Sequence, residues 1–199
     1  VGFNLVTNST AGYLRNSGFG YYDNKRNWIQ NTTFGTYKVV SNKATDFQVQ
    51  YTVKPGRLWS DGTPITGIDL LLTHVATSRQ YAKAAGLGDW DAKDVMAFNN
   101  ANLSSSTYAL FNAGDPLVSA DQMSVTVRYK QKFPDWWLGG LSPSPVHAYI
   151  HMVEGKTSLQ SVAANEAARD RFYAAYKAKT TSVLKEIGKI WSTGYNTPD

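Results

Sequence analysis

The run from Phe47 to Val53 narrows the possible folds more than any other part of this chain. Phe47, Val49, Tyr51 and Val53 alternate there with Gln48, Gln50 and Thr52. A period of two puts one set of side chains on a core and the other in water, which is the pattern of a half-buried strand. Met123, Val125, Val127 and Tyr129 repeat it against Ser124, Thr126 and Arg128. A β-rich run from Tyr37 to Val40 precedes the first strand, and the polar stretch Ser41 to Asp46 between them predicts a hairpin with a longer loop. Strands with one apolar face need a cover, and the remaining segments can supply it as helices.

After the Phe47 strand come Lys54-Pro55-Gly56 and then Ser60-Asp61-Gly62-Thr63-Pro64. Proline fixes φ and glycine admits positive φ, so the chain must turn corners here. Thr66 and Asp69 stand at capping-box spacing, and Leu70, Leu71, Leu72 and Val75 follow as an apolar stripe, predicting a helix from about Gly67 to Ala85 that Gly86-Leu87-Gly88 stops. The stretch from Asp89 to Pro116 is expected to be mostly loop. Phe133 to Pro145 is an aromatic, turn-rich segment whose indoles, Trp136 and Trp137, are expected to pack under the sheet. From Ser158 to about Thr193 helical spacing returns, predicting two helices parted near Thr180-Thr181-Ser182, with Thr181 or Ser182 capping the second. The expected fold class is α+β: a small, mostly antiparallel sheet with packed helices, one unit over residues 1–199 ending in a linker at 196–199.

Few residues suggest chemistry. There is no cysteine, which removes disulfides, thiolate metal sites and a cysteine nucleophile. The formal charge of +5 is dispersed, and its densest stretch, Arg169, Arg171, Lys177, Lys179, Lys185 and Lys189, is interleaved with Glu166, Asp170 and Glu186. That reads as the solvated faces of helices and not as a nucleic-acid surface. His147 and His151 are four apart, a metal-site spacing on a helix, but Ala148 replaces the Glu of the zinc-protease pattern, and Pro143 and Pro145 argue against a long helix. A structural role is expected for both, and for His74 a hydrogen-bonded place in the core. No Gly-flanked serine elbow and no phosphate loop is present, and Asp89, Asp91 and Asp94 lack the Gly and Glu of a calcium loop. No catalytic residue, metal or cofactor is therefore expected. Tyr13, Phe19, Tyr21, Tyr22, Trp28 and Phe34 could line a ligand wall or fill a core.

The segment from Tyr51 to Leu72, Tyr-Thr-Val-Lys-Pro-Gly-Arg-Leu-Trp-Ser-Asp-Gly-Thr-Pro-Ile-Thr-Gly-Ile-Asp-Leu-Leu-Leu, resembles the signature of the extracellular solute-binding proteins that serve ABC importers of oligopeptides, dipeptides and nickel. In that family a strand, a Gly turn, Trp-x-Asp-Gly-x-Pro and a Thr-capped helix follow in this order. Phe3-Asn4, Ser17 to Asp23, Phe34 to Val40 and Pro145-Val146-His147 are similar to actinobacterial members. The resemblance covers roughly residues 3 to 150, and Gly67 departs from it, standing where acidic or small polar residues are common.

The resemblance implies a subdomain of the first lobe of a type II periplasmic-binding-protein-like fold, in proteins more than twice this length. Such a lobe would be extracytoplasmic and lipid-anchored in the complete protein, monomeric, and free of nucleic acid. It would bind no cofactor, carry out no catalysis, and have a peptide and the importer's membrane subunits as partners. Trp59, Asp61, Gly62, Thr66 and Asp69 would be structural; Tyr81, and more weakly Tyr13 and Trp90, would touch ligand. The competing classes are a surface or nucleic-acid-binding module and, less well supported, a hydrolase.

Overall fold

The computed structural model of the chain describes residues 18–89, 96–98, 108, 112–132, 136–139, 141–156 and 159–193. Tyr13, Trp90, Phe3-Asn4, Ser17, Asp91, Asp94 and the 196–199 segment lie outside them. The fold class is α+β: two small antiparallel sheets and, among the described residues, five α-helices.

A hairpin of β1 (Gly20–Tyr22) and β2 (Trp28–Gln30) forms the smaller sheet. The larger contains β3 (Gly35–Lys43), β4 (Asp46–Val53), β5 (Leu117–Val118) and β6 (Ser124–Tyr129), in the order β3-β4-β6-β5 with every neighbour antiparallel. The alternation read from sequence holds through β4 and β6, although Met123, expected to open the second of them, precedes the strand and is only half-buried. Phe47, Val49 and Val53 are fully buried and Tyr51 nearly so, facing Tyr129, Val127 and Val125 in register, while the outward pair Thr52 and Ser124 joins hydroxyl to hydroxyl at 2.8 Å. The β3–β4 connection differs from expectation. Lys43 pairs with Asp46 across a two-residue turn, and the irregularity sits instead as a bulge at Val40. Ser41 contributes to the ladder end and not to a loop, its hydroxyl donating to the Asp46 carbonyl at 2.7 Å. The bulge absorbs the residue that would otherwise lengthen the loop.

The predicted Gly67–Ala85 helix is two helices, α1 (Ile68–Thr77) and α2 (Arg79–Ala84), which break at Ser78. Ser78 sits in extended backbone and its hydroxyl accepts the Tyr81 N–H, an N-cap that the apolar periodicity masks. The expected stop at Gly86-Leu87-Gly88 is in place, with both glycines at positive φ and the Leu87 N–H returning to Ala82 O at 2.8 Å. Nearly every residue of α1 is buried, which makes it the central helix, packed against α3 (Val146–Val153) and α4 (Val162–Ala178).

The proline-rich segment ends in α3, a two-turn helix that begins directly after Pro145. Trp136 stands at 5.5 Å from Tyr37 and 5.7 Å from Phe47, ring to ring, and Trp137 is edge-on to it. Ser161 caps α4, and Lys179 ends it in the left-handed conformation before α5 (Thr181–Thr193). Thr181, a predicted cap for α5, is its first residue, and its hydroxyl donates to Ala85 O beyond α2 at 2.8 Å. Of the early aromatics, Phe19 and Phe34 join the core against each other and Tyr51. Trp28 is half-buried and bonded to the Tyr37 hydroxyl, while Tyr21 and Tyr22 face outward.

Candidate functional site

Between β4 and α1 the chain makes the corner that carries the Trp-x-Asp-Gly-x-Pro residues, and each of them has a mechanical role. The Gly62 N–H returns to Trp59 O at 3.0 Å with Gly62 at φ +85°, a turn that a side chain would strain. Asp61 holds the turn by accepting the Thr63 N–H at 2.9 Å, and Trp59 N–H closes on Thr63 O at 2.8 Å. At the start of α1 the Asp69 carboxylate accepts the Thr66 N–H at 2.9 Å while the Thr66 hydroxyl accepts the Ile68 N–H at 3.3 Å. This is the reciprocal cap predicted from the spacing, with Asp reaching back as Glu would. Gly67 is where it is for a steric reason. A Cβ there would lie 2.8 Å from Gln122 O, to which the Gly67 N–H bonds at 2.7 Å, so a glycine at this position lets the helix start press on the turn before β6.

The corner is braced from two helices. Asp61 accepts from His147 Nε2 of α3 at 2.8 Å and from Asn165 Nδ2 of α4 at 3.3 Å; Asn165 Nδ2 also donates to the Thr63 hydroxyl at 2.7 Å, and its oxygen accepts from His151 Nε2 at 2.9 Å. The carboxylate and the amide orientation assign the proton of each imidazole to Nε2. The two histidines, four apart on α3, therefore go to separate partners on the corner and on α4. Arg169 overturns the reading of the Arg169–Lys189 stretch as solvated throughout: it is 9% exposed and donates to Pro64 O at 3.1 Å. Its periodicity placed it on α4, but only packing turns that face toward the corner.

Electrostatics follow from burial. Asp69 is fully buried, and desolvation raises its pKa to about 6 against the lowering effects of the Thr66 N–H, the Arg169 charge, the Val146 N–H and the Trp59 indole. The Trp59 N–H lies close enough to favour the carboxylate, yet it does not reach hydrogen-bond geometry with it. Burial pushes the His147 pKa down, against the raising effect of Asp61, so the ring is neutral near pH 7. Burial also opposes ionisation of Asp61, but the Thr63 N–H and His147 prevail and lower its pKa.

A second polar cluster surrounds His74 on α1, and sequence reasoning reached only its centre. His74 is fully buried, as expected of a core histidine, with Nδ1 at 2.7 Å from the Tyr108 hydroxyl and Nε2 at 3.4 Å from Asp115. Asn112 donates to the Tyr108 hydroxyl at 3.4 Å and to Gly114 O at 3.0 Å, and Lys179 reaches Asp115 at 2.9 Å. Tyr81, the ligand contact that the resemblance implies, lies inside this cluster. It is 1% exposed, stacked on Tyr176 at 5.0 Å, and donates its hydroxyl proton to Tyr176 O at 2.8 Å, so in the described fold it is a core residue. Asp115 and Lys179 carried no local motif, since sequence spacing says nothing about a contact made 64 residues apart.

Both clusters hold separate elements together. In the second the Tyr108 hydroxyl stands 2.7 Å from His74 Nδ1, both residues buried, and no group of three metal-ligating side chains occurs among the described residues. No helix of the described residues is long and apolar enough to cross a membrane. Searches with protein-family models and against curated proteins return no match to this sequence.

Proposed function

We propose that this chain is part of a lobe of the substrate-binding component of an ABC importer, a subdomain of a type II periplasmic-binding-protein-like fold that captures peptides outside the cell. The observation that carries this reading is the Tyr51–Leu72 unit. Strand, Gly turn, Trp-x-Asp-Gly-x-Pro corner and Thr-capped helix follow in the order of the family signature, and Asp61, Thr66 and Asp69 each make the turn or cap bond that a structural signature requires. A corner braced by α3 and α4 is a stiff body, suited to move as one piece when two lobes close on a ligand.

In such a protein the peptide backbone is held by main-chain hydrogen bonds and bridging water, and no bond is made or broken. Tyr13 and Trp90 are the contacts we assign to the peptide. Tyr81 would act from behind, backing the edge that carries Asp115 and Lys179, whose ammonium stands 5.2 Å from its ring centre. The partners would be a peptide and the importer's membrane subunits, and the complete protein would be a lipid-anchored, extracytoplasmic monomer.

Calorimetric titration of the complete gene product with pooled dipeptides to pentapeptides tests the proposal. One-to-one binding with a negative heat-capacity change is expected. A folded protein that binds none of the pools overturns it.

A further inference from the structure

Four polar atoms of the corner are buried without a partner among protein groups: Trp59 Nε1, Asp69 Oδ1, Arg169 Nε and His147 Nδ1. They are neighbours. The Trp59 and His147 rings are 6.4 Å apart, the Trp59 indole lies beside the Asp69 carboxyl, and the Arg169 charge acts on both Asp69 and His147. Asp69, His147 and Arg169 are 0%, 2% and 9% exposed. A buried polar group left unsatisfied is costly, so four on one set of packed side chains call for a partner.

The chemistry of the four names it. The indole and the guanidinium Nε can only donate, the carboxylate oxygen can only accept while ionised, and His147 Nδ1 accepts because the ring proton is committed through Nε2 to Asp61. A cation would face two N–H donors, one of them on a positive group, and an anion would face a carboxylate. Two donors and two acceptors match the two lone pairs and two protons of water, and buried waters typically make about three such bonds. We propose that the corner binds an internal water molecule, which accepts from Trp59 and Arg169 and donates to Asp69 and His147. The water would make the corner, α1, α3 and α4 one hydrogen-bonded unit, and the inference stands apart from any peptide-binding role.

A crystal structure of the chain at a resolution that orders solvent decides the point, with water-selective nuclear Overhauser spectra as the solution counterpart. The expected result is a solvent peak within about 2.7–3.2 Å of at least three of the four atoms. In solution a water cross-peak to the Trp59 indole proton is expected, with opposite signs in laboratory-frame and rotating-frame spectra, and assigned by its loss in Trp59→Phe. Closure of Trp59 Nε1 directly on Asp69 and of Arg169 Nε directly on His147, or a peak touching fewer than three of the atoms, overturns the proposal. So does a folded protein whose indole proton shows no cross-peak to water.

Discussion

The corner and the His74 cluster are built from the same parts, a buried imidazole, carboxylate and cationic side chains, and yet Asp69 of the corner and Asp115 of the cluster are driven in opposite directions. Asp69 has Arg169 for company and is fully buried, and its pKa rises to about 6. Asp115 has His74 and Lys179, its side chain is 41% exposed, and its pKa falls to about 2, chiefly through the hydrogen bond with His74. Desolvation decides the difference: a charge near water can use its partners, whereas a buried one must first offset the loss of hydration. Burial therefore governs Asp69 in the corner, and hydrogen-bond and charge partners govern Asp115 at the wet edge.

The largest effect should come from removing the corner's central acceptor. Asp69→Ala leaves the buried Thr66 N–H without its acceptor and removes a carboxylate that other donors face, and is expected to cost about 3 kcal/mol in urea unfolding. Asp69→Asn keeps an acceptor and should cost far less. It should also remove a pH dependence. Because the folded pKa of Asp69 lies above its unfolded value of 3.8, the ionised group destabilises the fold, so wild-type stability should fall by up to about 3 kcal/mol as pH rises from 4 to 6. A wild-type and Asp69→Asn pair with parallel pH profiles across that window would remove the contrast between the two regions.

Trp59→Ala comes next. The indole packs on the core but is only partly buried, so about 2 kcal/mol is expected, below the 3–5 kcal/mol of a fully buried ring. Tyr81→Phe deletes the bond to Tyr176 O while keeping the stack, for a loss of about 1 kcal/mol by thermal or urea unfolding. The smallest effect belongs to Asp115→Asn. Solvent screening limits its ion pair with Lys179 to below about 1 kcal/mol near neutral pH. Since its folded pKa is depressed, that contribution is present above pH 4 and lost as pH falls toward 2. A difference from wild type that persists at pH 2 would mean that Asp115 acts through geometry and not through charge.

Much of this was open to sequence reasoning wherever the determining interaction is local. The alternation in β4 and β6, the Thr66–Asp69 cap and the glycine stop after α2 each depend on residues a few positions apart. Three features escaped because a stronger local pattern hid them. The apolar stripe ran through the Ser78 break, the polar run 41–46 concealed a tight turn offset by a bulge, and the charge pattern of α4 hid a buried arginine. The roles of His147, His151 and Asn165 were out of reach for another reason. Their partners lie on other elements, as with His147 and Asp61, 86 residues apart.

The sequence by itself determined that β3, β4 and β6 are strands, that the segments after the corner and from Val162 to Thr193 are helical, and where the corner turns, because backbone sterics and side-chain period act over a few residues. Only the tertiary structure decided that α3 and α4 converge on that corner and that Arg169 is interior. It also set the two carboxylates to opposite ionisation behaviour, since burial and charge proximity belong to the packed chain and to no segment of it.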